Sequence, residues 1–130
     1  MASAGFIECN NLFKSFGEKP VLQGVDLRVE RGETLVILGG SGSGKSTCMN
    51  VVGCLDPPTA GTYMFRGVDV GSLDLDQRAL LRRHYIGFVF QGFNLLARTT
   101  ALENVELPLV YRRVPSAERR ERALAALADV

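Results

Sequence analysis

This sequence is poor in cysteine and histidine and has no long apolar runs, and each shortage removes a class of protein. Its three cysteines, Cys9, Cys48 and Cys54, are an odd number with no C-x-x-C spacing and no histidine nearby. Neither a disulfide framework nor a zinc site is expected, and a reducing, cytosolic compartment suits such a set. The N-terminus, MASAGFIECN, has no basic segment leading into an apolar run, and the longest apolar stretches are only about five residues. Secretion and membrane spanning are disfavoured, so any membrane role comes through a partner.

Charge of one sign is also missing. Net charge is +1; residues 1–65 carry 5 basic and 6 acidic side chains, residues 66–130 carry 10 and 8. That balance gives no electrostatic case for nucleic acid as a partner. The arginine pairs at 82/83, 112/113 and 119/120 read as solvated helix faces. What is present is ordinary globular composition, 46% hydrophobic and 22% charged over 130 residues, enough for one domain or part of one. No internal repeat or low-complexity segment occurs.

The first third reads as strands. FIECNNLFKSF leads through GEKP into VLQGVDLRV, where Val25, Leu27 and Val29 alternate with Asp26 and Arg28. This predicts an antiparallel pair over residues 6–30. Thr34 to Leu38, TLVIL, is β-rich without alternation, the pattern of a strand buried on both faces. Beyond it, STCMNVVGCL has helical spacing and ends near Asp56-Pro57-Pro58.

GTYMFRGVDV predicts a strand with a turn at Arg66-Gly67. Asp74 and Gln77 form a capping-box pattern opening a helix through His84, with Leu75, Leu80 and Leu81 on its apolar side. YIGFVF, residues 85–90, is a second buried-strand candidate that delivers Gln91 at its end. Thr100 with Glu103 caps another helix, and Ser116 after Pro115 opens the last. As a helix C-terminal residue facing the dipole, His84 is adequately explained.

The strongest chemical signal lies between the first predicted buried strand and the helix after it. In LGGSGSGKST, Gly39, Gly44, Lys45 and Ser46 satisfy the phosphate-loop pattern G-x-x-x-x-G-K-S/T. Gly39, Gly40, Gly42 and Gly44, with Ser41 and Ser43 between them, let successive N–H groups turn toward phosphate oxygens. The helix start adds its dipole and unpaired N–H groups. Lys45 suits the β and γ phosphates, Ser46 suits Mg²⁺ and Thr47 the α phosphate. A flexible linker has no reason to place Lys-Ser-Thr at a helix start. Cys48, one turn on, is close enough that its alkylation could block nucleotide, or is simply a packed side chain. No guanine-reading N-K-x-D occurs, and there is little room for a kinase lid.

Taken in order, these features resemble the first half of an ABC transporter ATP-binding subunit, from Phe6 to Val130. Within that family the finer resemblance is to macrolide-efflux and lipoprotein-releasing ATPases, carried by GCLDPPTAGTYMFRGVDVGSLD, LRRHYIGFVFQGFNLL and TALENVELPLVY. The resemblance implies an α/β, P-loop NTPase-like fold: a mostly parallel sheet, an N-terminal antiparallel β subdomain (6–35 and 62–70), the phosphate loop and helix (34–56), a Q-loop (85–95) and the start of a helical subdomain (100–130). It implies that Phe16 stacks on adenine, where the family more often has Tyr. It also implies that Gln91 senses the γ phosphate through Mg²⁺ or the attacking water, so that Ser46 and Gln91 are the Mg²⁺-side residues and Lys45 and Gln91 the catalytic ones. ATP and Mg²⁺ would be the cofactors. Transmembrane permease subunits and a second ATP-binding subunit would be the partners, on the inner face of the cell membrane.

The family's later features are not found: no L-S-G-G-Q signature, no apolar strand ending in Asp-Glu, no switch histidine. The nearest imitation, LAALAD ending at Asp129, has helical composition. A truncated chain that binds nucleotide without turning it over is therefore expected, with exposed sheet edges. A non-hydrolytic ATP-sensing module, and an ABC-type ATPase serving DNA repair or translation, are the alternatives.

Overall fold

In the computed structural model, which describes residues 5–130, the N-terminal alternation becomes a long hairpin. Strand β1 (Ile7–Phe16) pairs antiparallel with β2 (Lys19–Val29) from Ile7 opposite Val29 to Phe16 opposite Lys19. Two register shifts matter. One lies between Cys9 and Leu12, where Asn11 takes φ +49° and its N–H donates to the Asp26 carboxylate at 2.7 Å. This bulge lets Cys9 and Leu12, three residues apart, both face the core. The other skips Val21 between the Lys14–Leu22 and Ser15–Pro20 pairs.

Strand β3 (Ala60–Phe65) pairs antiparallel with β1 and turns through Arg66-Gly67 into β4 (Val68–Asp69), as the glycine turn predicts. The sheet order is β2-β1-β3-β4. Helix α1 (Lys45–Val52) covers one face: Cys48 and Val51 join Cys9, Leu12, Leu22, Tyr63 and Phe65 in a single core. The Tyr63 hydroxyl donates to the Val52 carbonyl at 2.6 Å, fastening the end of α1 to β3. A fully buried leucine such as Leu12 contributes about 1.5–3 kcal/mol by leaving water. Helix α1 stops at Val52, three residues short of its apolar spacing, because Gly53 leaves helical geometry and Cys54 turns to φ +59°.

Helix α2 (Leu75–Tyr85) opens with the expected reciprocal cap: Gln77 N–H to the Asp74 carboxylate at 2.8 Å, Asp74 N–H to the Gln77 side chain at 2.9 Å. Its apolar side is narrower than the leucine pattern predicts. Only Leu81 is buried, while Leu75 and Leu80 face water. His84 sits in the last turn of α2 with Arg82 and Arg83, whose guanidinium charges interact favourably with the helix dipole.

The expected inner strands do not form. Thr34–Leu38 has no ladder partner among the described residues, and Val36 and Leu38 are 69% and 86% exposed. Residues 86–90 are likewise irregular, and Tyr85 belongs to α2. An unalternating apolar run becomes a buried strand only where neighbours pair with its backbone and cover both faces. All pairing seen here is antiparallel.

The chain divides into two compact units after Phe88. The second, Val89–Val130, holds α3 (Ala101–Tyr111) and α4 (Ser116–Ala128), which pack as a hairpin. Thr100 and Glu103 form the predicted capping box, at 3.1 and 2.7 Å. Asn104 ties the preceding segment to α3, accepting from Leu96 N–H at 2.8 Å and donating to the Thr99 hydroxyl at 2.7 Å. Ser116 is the first helical residue rather than a cap; Pro115 occupies the cap position, with no side-chain hydrogen bond there. Asp129 closes α4, as its helical composition predicts. Among the described residues no helix is long and apolar enough to cross a membrane.

Candidate functional site

Two devices shape the loop between Leu38 and α1. Gly42 and Gly44 take φ +76° and +97°, conformations that strain any residue with a Cβ, and Gly44 is the residue from which α1 starts. A Cβ on Gly44 would lie 3.2 Å from Leu22 and 3.3 Å from Val21, so the loop presses against β2. The first helical bond runs from Cys48 N–H to the Gly44 carbonyl at 2.8 Å. The N–H groups of Lys45, Ser46 and Thr47 therefore precede the intrahelical ladder and suit an anion.

Lys45 bridges the loop. Its ammonium donates to the carbonyls of Gly39 and Gly40, each at 2.6 Å, and the Ser43 hydroxyl donates to the Gly40 carbonyl at 2.7 Å. The cation is thus held at the mouth of the glycine turn, tethered by neutral acceptors that phosphate oxygens outcompete.

Across from the loop stands the β1–β2 hairpin. Together they enclose an open cleft of about 720 Å³, a size suited to a nucleotide. The hairpin contributes Phe16, Lys19, Pro20, Val21 and Gln23; the loop and α1 contribute Ser41, Gly42, Gly44, Lys45, Ser46 and Thr47. Gly39, Gly40 and Ser43 do not line the cleft but fix Lys45 and each other. Phe16 is half exposed at the end of β1 and lines the cleft. The hairpin side therefore brings an aromatic ring beside Lys19 and Gln23, and the loop side N–H donors and the Lys45 cation.

The hairpin residues other than Phe16 were not legible as site residues. Val21, skipped in the β1–β2 register, lines the cleft with its paired neighbours Lys19, Pro20 and Gln23, which no composition signal announces. Gln91 belongs to the second unit, on an exposed irregular stretch. Cys48 is a packed side chain: it is 6% exposed, and burial raises its thiol pKa. Burial pushes the neighbouring Cys9 thiol up to about 12, with smaller contributions from Cys48 and Cys54. All three cysteines are free and buried. Among the described residues no group of acidic, histidine or cysteine side chains could by itself hold a metal, so an ion here would need the nucleotide's own oxygens.

Comparison with known proteins converges on one family. The profile described as ABC transporter matches residues 22–130. The macrolide export ATP-binding/permease protein MacB of Marinobacter nauticus is 52% identical over 127 residues, covering 95% of this chain and 20% of its own length. The pyoverdine export ATP-binding/permease protein PvdT of Pseudomonas putida is 52% identical over 126 residues, covering 93% and 19%. The dimeric structure of the bacterial ABC transporter cassette MJ0796 superposes with a TM-score of 0.84 at 45% identity, covering 94% of this chain and 56% of that one. A post-hydrolysis state of the same cassette, bound to ADP and Pi, gives 0.83 at 44%. The chain thus spans about a fifth of its curated relatives and 56% of the solved cassette.

Proposed function

This chain belongs to the ABC transporter family, and from that membership we propose that it is the nucleotide-binding part of a transport ATPase, holding Mg–ATP between the hairpin and the glycine loop. The observation that carries this is the cleft itself, with Lys45 and the free N–H groups of α1 on one wall and Phe16 on the other. Phe16 stacks on adenine. The backbone of Gly39, Gly40, Ser41, Gly42, Ser43 and Gly44 shapes the cradle. Lys45 exchanges its carbonyl contacts for the β and γ phosphate oxygens, and Thr47 steadies the α phosphate. Ser46 offers its hydroxyl to Mg²⁺, which when bound neutralises charge on the transferring phosphoryl group. Gln91 senses the γ phosphate through Mg²⁺ or the attacking water, an assignment resting on the sequence pattern GFVFQGFNLL.

The relatives' names join an ATP-binding part to a permease, and the MJ0796 cassette is dimeric. They support a membrane-spanning permease and a second ATP-binding unit as partners, with this chain on the cytoplasmic face of the membrane. Isothermal titration of the intact protein with Mg–ATP tests the reading. Lys45→Ala is expected to weaken binding by about tenfold or more, from the loss of charge-assisted bonds. Unchanged ATP affinity would refute it.

A further inference from the structure

Among the described residues Lys14 is the charged side chain that is buried. It stands on β1 two residues before Phe16 and is only 9% exposed. Among the described residues no carboxylate pairs with it. Burying an ammonium without a counter-charge is costly, so something must hold it there. Its ammonium donates to the Pro57 carbonyl at 2.9 Å and lies 5.1 Å from the centre of the Phe16 ring. That distance is within the range of cation–π attraction.

The surroundings make this a fixed contact. Thr59 N–H donates to the Phe13 carbonyl at 2.8 Å, and Ser15 N–H donates to the Thr59 hydroxyl at 3.0 Å. With the Lys14–Pro57 bond, three successive residues of β1 are bolted to the Pro57–Thr59 segment just before Phe16. Lys14 itself is not among the residues lining the cleft, whereas Phe16 is. By contact, this cation therefore reaches a bound nucleotide only through the ring.

We infer that Lys14 is a positioning residue for base binding: its ammonium holds the Phe16 ring from within the protein, so that the ring is presented to the purine in one orientation. A half-exposed phenylalanine at a strand end otherwise samples several rotamers and must be ordered when base binds. A ring attracted to a fixed cation is ordered beforehand. This inference rests on the reading of Phe16 as the adenine-stacking residue.

The experiment compares ATP with inorganic tripolyphosphate, which has the phosphates but no base, by titration of the intact protein. The quantity read is the ratio of the two affinities; an unfolded fraction lowers both alike and leaves it unchanged. Lys14→Met, which keeps the apolar stem, is expected to reduce the ratio by about two- to fivefold. Phe16→Ala is expected to reduce it further, and Lys14→Met is expected to add nothing in a Phe16→Ala background. If Phe16→Ala leaves the ratio unchanged, the stacking reading fails and the inference with it. If Phe16→Ala lowers the ratio and Lys14→Met does not, or if the two losses simply add, the inference alone is overturned.

Discussion

Replacing Gly44 with alanine probes the glycine loop at its tightest point. Gly44 holds φ +97° where α1 begins, so an L-residue there incurs roughly 1–3 kcal/mol of backbone strain. The new Cβ would also meet Leu22 Cδ2 at 3.2 Å and both Val21 Cγ1 and the Val21 carbonyl oxygen at 3.3 Å. The side chains can yield by a few tenths of an ångström; the carbonyl belongs to β2 and cannot do so freely. Overpacking of this kind adds about 1 kcal/mol or more, for an expected total of about 2–4 kcal/mol. Two neighbours separate the contributions. Gly42, at φ +76° with nothing within 4 Å of a Cβ, should lose only the strain, about 1–2 kcal/mol on Gly42→Ala. Gly40 has neither positive φ nor a close neighbour, so Gly40→Ala should be neutral or stabilising by up to about 1 kcal/mol. Urea unfolding of the three variants of the intact protein, compared at constant slope, gives the ranking. Equal losses at Gly42 and Gly44 would refute the claim that β2 presses on the loop. A Gly40 variant as damaged as the Gly44 one would refute the whole account of the turn.

Two further expectations concern stability. Cys9 has its thiol pKa raised by burial from 9.0 to about 12, and burial raises Cys48 and Cys54 as well. A raised folded pKa contributes stability that is complete below the unfolded value, so melting temperature should hold up to about pH 9 and fall as pH rises toward 12; a flat profile between pH 9 and 11 would contradict this. In the second unit, Thr100→Ala removes the hydroxyl that accepts from Glu103 N–H and should cost about 1 kcal/mol, read as faster hydrogen exchange in the first turn of α3. Unaltered exchange there would mean the cap does not hold that turn.

Much of the site was legible because its signals are local. The capping boxes at Asp74 and Thr100 need only residues three apart, and both form. The glycine loop likewise requires its own φ angles and the helix that follows. Phe16 was singled out only through the family resemblance; it lines the cleft at the end of β1. The bulges at Asn11 and Val21 were not legible, because a register shift depends on which partner residue is skipped. Nothing local marks Lys14 for burial; its ammonium meets the Pro57 carbonyl, more than forty residues away in sequence. The apolar runs at Thr34–Leu38 and Tyr85–Phe90 show the opposite error. Their composition announces a strand, but a strand exists only with neighbours to pair it.

The sequence by itself therefore determined the parts whose physics is contained within a turn or two of chain: the caps, the hairpin, and a loop able to surround phosphate. Only the tertiary structure decided which faces of those parts meet. It set the hairpin opposite the loop to make the cleft, sealed Cys48 in the core, and placed the Lys14 ammonium against the Pro57 carbonyl and the Phe16 ring. These are long-range arrangements, governed by which segments pack and pair together, and no short stretch of residues encodes them alone.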